Sequence, residues 1–310
     1  METIFKSQAM QQVVDRTKAV ASSDAPAFIT GANGTGKEHI AQMLHDSGKR
    51  AAEPFIEVNC AALPTQLIES ELFGSRRGSY TGSVEERNGL FIQAGNGTIF
   101  LDELAEMPID VQSKLLRVLQ DRKVRPVGET RFKAINCRIV AATNLPIKDA
   151  LDNHKLRMDL YYRLAVITLH LPSLNDRPED IAVLSQFFID KFSKEENKTV
   201  VCADGLLDGL SNIHWQGNVR QLQNAIHRAI LFSKNGILTL EDFAEDSAML
   251  PPEKVIKLDE IKKAALVKAL NDNHGNRALV ARQLGIGRAT VYLHMKKYGL
   301  FPKKSVDIVT

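Results

Sequence analysis

The residues with the clearest chemical meaning stand together, Gly31-Ala32-Asn33-Gly34-Thr35-Gly36-Lys37-Glu38. A short apolar run after Pro26 reads as a strand. It breaks into this glycine-rich turn and resumes at Lys37 as a helix with Ile40, Met43 and Leu44 on one face. Strand, turn and helix in that order form the setting of a phosphate-binding loop. Gly31, Gly34 and Gly36 let backbone N–H groups converge on an anion, and the helix N-terminus adds partial positive charge. Lys37 would then reach the outer phosphates. Glu38 departs from the general pattern, which has a Mg²⁺-binding Ser or Thr there. The alternative, a purely structural turn, does not require Gly31, Gly36 and Lys37 at this spacing.

A second signal is Gly97-Thr98-Ile99-Phe100-Leu101-Asp102-Glu103, an apolar run ending in two acids. Strands of a parallel sheet are apolar throughout, and ligands sit beyond their carboxyl ends. Asp102 would fall near a metal ion and the phosphates, and Glu103 could polarise a water for attack on the terminal phosphorus. The plainer alternative is a helix cap for the next segment.

Positioning these groups requires strands that alternate with helices, and the chain supplies them. Residues 2–20 read as a lead-in helix burying Met10, Val13, Val14 and Thr17, and Phe55–Asn59 as a second strand. Residues 65–73 are helical in pattern. They end at a glycine-, serine- and arginine-rich stretch, 74–83, which on its own residues reads as a surface loop. Pro108 suits the first turn of a helix to Asp121 that buries Val111, Leu115, Val118 and Leu119. Strands are expected at 137–144 and 165–171, so the fold class is α/β with a parallel sheet. Residues 177–243 show helical spacing and no strand pattern, broken at Gly205 and at 214–217. The expected division is an α/β domain at 1–172, a helical lid at 173–245, a linker at 246–257 and a small all-α domain at 258–310.

With 310 residues, 44% of them hydrophobic, the chain can bury two or three cores. No apolar run approaches the ~20 residues needed to span a bilayer, no leader is recognised, and the first core unit starts almost at Met1. Cys60, Cys137 and Cys202 are isolated, without metal-ligand spacing, which suits a reduced cytoplasmic setting. The net charge of +3 hides an asymmetry. From Pro252 onward there are 12 of the 40 Lys and Arg residues against five of the 37 acids, so the preceding body is mildly acidic. A basic C-terminal unit on an acidic body suggests nucleic-acid binding.

That unit reads as three helices, at 258–270, 277–284 and 288–298, with Gly285-Ile286-Gly287 as the turn between the last two. Two short helices around a glycine turn suggest a helix-turn-helix. Val291 and Met295 would pack inward, whereas Arg288, Thr290, Tyr292, His294, Lys296 and Lys297 would face DNA or solvent. A generic helical hairpin is the alternative.

Together these motifs resemble the bacterial enhancer-binding proteins, AAA+ ATPases that activate transcription by sigma-54 RNA polymerase. The resemblance covers nearly the whole chain and implies an AAA+ domain, a helical lid and a Fis-like DNA-binding domain. In that family the phosphate loop commonly ends in Gly-Lys-Glu, which accounts for Glu38. Mg²⁺ would then rest on Asp102, phosphate oxygens and waters. The resemblance makes Lys37 the Walker A lysine and Asp102 and Glu103 the Walker B pair. Asn59 matches the residue that restrains the catalytic glutamate, and Thr143 and Asn144 match the first sensor. Arg157 and Arg163 match the arginine fingers that enter a neighbouring subunit's site, and Arg220 the second sensor, although Gln216 replaces the usual Pro before Gly217. The segment Gly78-Ser79-Tyr80-Thr81-Gly82-Ser83 corresponds to the family's Gly-Ala-Phe-Thr-Gly-Ala tip that contacts sigma-54. Residues 125–132 resemble the second pore-facing loop. In the DNA unit, Arg288 and Thr290 suit base edges, and Lys296 and Lys297 suit phosphates.

The resemblance therefore implies ATP as cofactor, upstream DNA and sigma-54 polymerase as partners, and a homo-oligomeric, hexameric ring. With no upstream receiver domain in view, control would come from a partner protein in trans, or the chain is part of a longer regulator. Two rivals stand beside this reading. One is the same fold binding nucleotide and DNA without acting through sigma-54; the other is a DNA-binding scaffold with a vestigial ATPase site.

Overall fold

The apolar runs become one parallel sheet in the computed structural model, which describes residues 4–76, 87–233, 235–248, 266–270, 273, 276–298 and 300. The chain enters through α1 (Gln8–Val20), β1 (Ala27–Thr30) and α2 (Lys37–Asp46), then runs to the far edge at β2 (Phe55–Asn59). Helix α3 (Ile68–Phe73) leads into a small hairpin of β3 (Gly74–Ser75) and β4 (Arg87–Asn88), followed by α4 (Leu90–Gln93). Next come β5 (Thr98–Asp102), α5 (Ile109–Asp121) and a second small hairpin, β6 (Lys123–Val124) with β7 (Lys133–Ala134). The α/β part closes with β8 (Arg138–Thr143), α6 (Ile147–Asp152), α7 (Met158–Leu164) and β9 (Ile167–His170). Strand order is β2-β5-β8-β1-β9, all parallel.

Burial explains the strand sequences. All six residues of β8, in the middle, are buried, whereas edge strands β2 and β9 alternate. Successive side chains point to opposite faces. Phe28, Ile99, Leu101, Ile139 and Ala141 join a core with α3, α5 and α7, while Ile29, Phe100, Val140 and Ala142 join one with α1 and α2. The ends of β1, β5 and β8, three adjacent strands, therefore open onto the same side of the sheet.

A helical lid follows: α8 (Pro178–Glu195), β10 (Val201–Cys202), α9 (Leu206–Ser211), α10 (Asn218–Phe232), β11 (Ile237–Leu238) and α11 (Ala244–Ala248). Its core is built on Trp215, fully buried, whose indole N–H donates to Leu210 O at 3.0 Å. The chain divides into two compact units, Met1–Leu250 and Pro251–Thr310. In the second, α12 (266–270), α13 (Arg277–Gln283) and α14 (Arg288–Lys297) bury Leu266, Val280, Val291 and Met295.

Four details differ from the sequence reading. Helix α1 starts at Gln8, not near residue 2, because Ser7 caps it and Ile4 packs on the lid core. Helix α3 starts at Ile68 rather than 65, after a turn whose amides bond to Pro64 O. The lid holds a parallel pair, β10 with β11, where no strand was expected, because two-residue strands leave no periodicity to read. Asp246, expected at the head of the linker, instead lies in α11, buried and ion-paired with Arg228. Residues 249–257 of that linker and 258–265 of the expected third-last helix lie outside the described residues.

Because Leu222 is fully buried in the same core as Trp215, Leu222→Ala should cost about 2–5 kcal/mol of lid stability. Trp215 is the only tryptophan, so its emission through a urea titration reads that loss directly. A midpoint within error of the unaltered chain would contradict the packing described.

Candidate functional site

The glycine turn between β1 and α2 is set by positive φ angles, +75° at Gly34 and +104° at Gly36. L-residues rarely adopt these values. At Gly34 space is closed as well. A Cβ there would lie 2.3 Å from Gly217 O and 3.0 Å from Arg220 Cβ, both on the lid. The lid also holds the loop's carbonyls. Asn218 Nδ2 donates to Asn33 O (2.9 Å), Val219 N–H to Gly34 O (2.9 Å) and Arg177 Nη2 to Thr35 O (2.9 Å). Asn218 is itself left-handed (φ 54°), a conformation asparagine tolerates better than most residues, and its Oδ1 accepts from Leu174 N–H at 2.7 Å. With three consecutive carbonyls bonded to the lid, the loop can present its N–H groups to an anion.

Lys37, buried at the start of α2, donates to Gly31 O (3.0 Å) and Ala32 O (3.4 Å), and its Nζ lies 3.9 Å from Glu103 Oε1. Burial pulls the Lys37 pKa down, and the carboxylates of Glu103 and Asp102 oppose this. Glu38 faces solvent in the first turn of α2. Its neighbour is Glu57, whose pKa is raised by burial and by the charges of Glu38 and Asp102. Glu57 escaped the sequence reading, although it sits two residues before Asn59 on the same face of β2.

Glu103 directly follows β5 in a left-handed conformation, φ 52° and ψ 46°. A non-glycine residue held there stores about 1–3 kcal/mol of strain. The turn swings the carboxylate toward Lys37, and Oε2 accepts the Asn144 N–H at 3.3 Å. Burial raises the Glu103 pKa above the ordinary glutamate value, Lys37 opposes the rise and Asp102 adds to it. Asp102 Oδ1 and Asn144 Oδ1 are both buried with no hydrogen-bond partner among the described residues. Orphaned buried oxygens are costly unless something occupies them, and a hard oxygen donor at Asp102 suits Mg²⁺. No cluster of three or more metal-ligating side chains occurs among the described residues, so most ligands of such an ion would be phosphate oxygens and water.

The structure thus brings Lys37, Asp102, Glu103 and Asn144 together, with Arg220 near enough for its charge to depress the Lys37 pKa further. Thr143, fully buried, uses Oγ1 to accept from Leu145 N–H at 3.2 Å. Asn59 ends β2. Its Oδ1 accepts from the N–H groups of Ala61 (2.9 Å) and Ala62 (3.2 Å), and no hydrogen bond joins it to Glu103 among the described residues. An asparagine at a strand end closes its own local turn. Among the described residues, neither Arg157 nor Arg163 bonds to the phosphate loop of its own subunit. Arg157 pairs with Asp159 through Nε (3.0 Å) and Nη2 (2.8 Å) and donates to Ser113 Oγ (3.0 Å), while Arg163 is exposed in the last turn of α7.

The segment from Gly78 through Ser79, Tyr80, Thr81 and Gly82 to Ser83 lies outside the described residues. Its base is defined. Gly74 pairs with Asn88 and Ser75 with Arg87. Val127 N–H donates to Gly74 O (2.8 Å) and Arg76 N–H to Val127 O (3.0 Å). The 125–132 loop is therefore hydrogen-bonded to the base of the first, and it carries Arg125 over the exposed Phe132 ring at 5.7 Å.

In the C-terminal unit, Asn276 caps α13 and Gly285 (φ 64°) makes the turn to α14. Arg288, Tyr292 and Lys297 are exposed, with Arg277 over the Tyr292 ring at 5.9 Å. Thr290 is half-buried, and His294 stacks on Tyr298 at 5.8 Å, so both face solvent less than the sequence suggests. The Lys296 side chain lies outside the described residues. No described helix is long and apolar enough to cross a membrane.

Three family models match successive parts of the chain, the last two overlapping at 257–272. Residues 3–170 match the sigma-54 interaction domain, 175–272 the AAA+ ATPase lid domain and 257–298 the Fis family of bacterial regulatory proteins. The chain is 39% identical to regulatory protein AtoC of Escherichia coli K12 over 313 residues, covering 96% of this chain and 68% of that protein. It is 36% identical to the transcriptional activator HyfR of the same organism, covering 96% of this chain and 48% of that protein. Among solved structures, NtrX from Brucella abortus in complex with ATP superposes with a TM-score of 0.72 at 30% identity, covering 96% of this chain and 69% of that one.

The closed space around Gly34 makes Gly34→Ala a sharp test of the loop. The added methyl collides with Gly217 O at a φ that disfavours it, so the lid must shift. Nucleotide affinity, read by titration with a fluorescent ATP analogue, should fall at least tenfold. Unchanged affinity would show that the lid does not fix the loop.

Proposed function

We propose, for a chain that belongs to the sigma-54 interaction domain family of AAA+ transcription regulators, that it hydrolyses ATP to drive open-complex formation by sigma-54 RNA polymerase. The observation that carries this reading is the meeting of Lys37, Glu103 and Asn144 beyond the strand ends, with the unpartnered Asp102 Oδ1 beside them. The N–H groups of residues 31–36 and Lys37 bind the phosphates. Glu103, ionised, accepts a proton from the attacking water, with Asn144 N–H holding its carboxylate in place. Mg²⁺ on Asp102 would neutralise charge on the phosphates. Thr143 and Asn144 stand as the first sensor and Arg220 as the second.

Arg163 and Arg157 act in trans on this reading. Arg163 is exposed, Arg157 is half-buried against Asp159 and Ser113, and neither bonds to the loop of its own subunit among the described residues, which supports a ring in which each subunit completes its neighbour's site. A guanidinium so placed is typically worth ~10³–10⁵ in rate. The Gly78–Ser83 loop would press on sigma-54, and α14 would bind upstream DNA with Arg288 at base edges. One specific observation favours a second reading: Ser79, Tyr80 and Ser83 make the tip more polar than the family signature, which suits the same engine working on another form of polymerase. A regulatory partner in trans, or a further regulatory domain in a longer protein, would control either.

Two measurements test the proposal. ATPase activity per subunit should rise with protein concentration, and Glu103→Gln should lower it by ~10²–10⁴ while nucleotide binding persists. Since only the ionised carboxylate accepts a proton and burial raises its pKa, kcat/KM should fall as pH drops through a value above the ordinary glutamate range. An acid limb at or below that range would remove Glu103 from the role. In the second, promoter opening by polymerase carrying sigma-54 should require this protein and ATP; opening confined to polymerase without sigma-54 would select the second reading.

A further inference from the structure

The third lid contact with the phosphate loop differs from the other two, because it comes from a buried charge. Arg177, 3% exposed, donates Nη2 to Thr35 O at 2.9 Å and places Nη1 3.5 Å from Asp180 Oδ2. Asp180 is fully buried, and most of its hydrogen bonds come from the start of the chain. Its Oδ1 accepts the N–H groups of Lys6 (2.5 Å) and Ser7 (2.6 Å), and its Oδ2 accepts Ser7 Oγ–H at 2.8 Å. One polar route therefore runs from residues 6–7 through Asp180 and Arg177 to the backbone of Thr35. Ile4, just before it, packs on the lid core.

A buried ion pair is weak support for stability, since well-packed apolar residues of similar volume serve as well or better. What Arg177 and Asp180 supply that apolar residues would not is direction. The arginine fork has fixed donors, and one of them is aimed at the carbonyl directly before Gly36, the residue that sets the helix start and the Lys37 position. We infer that Arg177 and Asp180 are positioning residues for nucleotide binding, fixing the phosphate loop in a geometry that depends on residues 6–7 being docked on the lid. Neither residue touches the phosphates. They act by orienting the loop, so the ordering of the entering segment and the affinity for ATP are linked: a change that loosens residues 4–7 loosens the loop.

The inference rests on the phosphate-site reading above, and the test separates the two. The 310-residue chain carrying Arg177→Lys, Ser7→Gly or both is titrated with ATP, and turnover at saturating ATP is measured in parallel. Lysine keeps the charge but lacks the planar fork whose separate nitrogens address Thr35 O and Asp180 in fixed directions. Glycine caps α1 nearly as well as serine but removes the hydroxyl that Asp180 accepts. Losing a bond to a charged group should raise Kd about tenfold for Arg177→Lys and about threefold for Ser7→Gly. Turnover at saturation should stay within about twofold, and the double variant should bind no more weakly than Arg177→Lys alone.

Unchanged Kd in both variants, in a chain that binds ATP, would overturn the positioning role alone. So would lowered melting temperatures with unchanged Kd, or effects that simply multiply in the double variant. If Arg177→Lys does not fold, Ser7→Gly decides: a threefold rise in Kd supports the role and an unchanged value overturns it. Failure of the unaltered chain to bind ATP would overturn the phosphate-site reading and this inference with it.

Discussion

The carbonyl side of the phosphate loop is held by the lid, and the rest of the site depends on that. An anion-binding turn must send its N–H groups one way, which leaves its carbonyls facing the other. Here Asn218, Val219 and Arg177 take the oxygens of Asn33, Gly34 and Thr35 in order, and Lys37 takes those of Gly31 and Ala32. A loop that looks autonomous in sequence is therefore half of a joint. Its glycines serve the joint too, since Gly34 has no room for a side chain because the lid has come so close.

The same closeness governs the electrostatics. Lys37 and Glu103 lie 3.9 Å apart in a largely buried setting that pushes the lysine pKa down and the carboxyl pKa up. Each partner opposes the other's shift, so the pair stays nearer its ionised form than either group would alone. The strained backbone at Glu103 is what allows this, because a relaxed strand end would not turn the carboxylate back over the loop. Asp102, one residue earlier and still in the strand, keeps an oxygen with no partner among the described residues. Two adjacent acids are thus separated in role by one backbone angle.

Much of the frame was legible because it follows local rules. The burial of Met10, Val13, Val14 and Thr17 in α1, and of Val111, Leu115, Val118 and Leu119 in α5, is helical periodicity. The strand ending at Asp102 follows from an unbroken apolar run. What escaped was polar and long-range. Asn218 and Asn33 are 185 positions apart, and Arg177 and Thr35 are 142 apart; no period links such residues. The local bond of Asn59, whose carboxamide closes a turn two residues away, is likewise not visible in the strand's apolar pattern. Asp246 reads as linker in the sequence because one helical turn is too short to show a pattern, although its carboxylate is buried against Arg228.

The lid emerges as the element through which the parts of the Met1–Leu250 unit meet. At its start it grips residues 6–7 through Asp180, and along α10 it grips the phosphate loop through Asn218 and Val219. Toward its end, Asp246 of α11 accepts from Gln221 and Arg228, both also on α10. Gln221 in turn accepts the N–H of Gly217, the residue whose carbonyl closes the space over Gly34. The first turns of α10 thus carry contacts to the phosphate loop on one side and to the last described helix of this unit on the other. A rigid helix moves as one body, so a displacement at either contact must be felt at both. That is a constraint of packing rather than of catalysis.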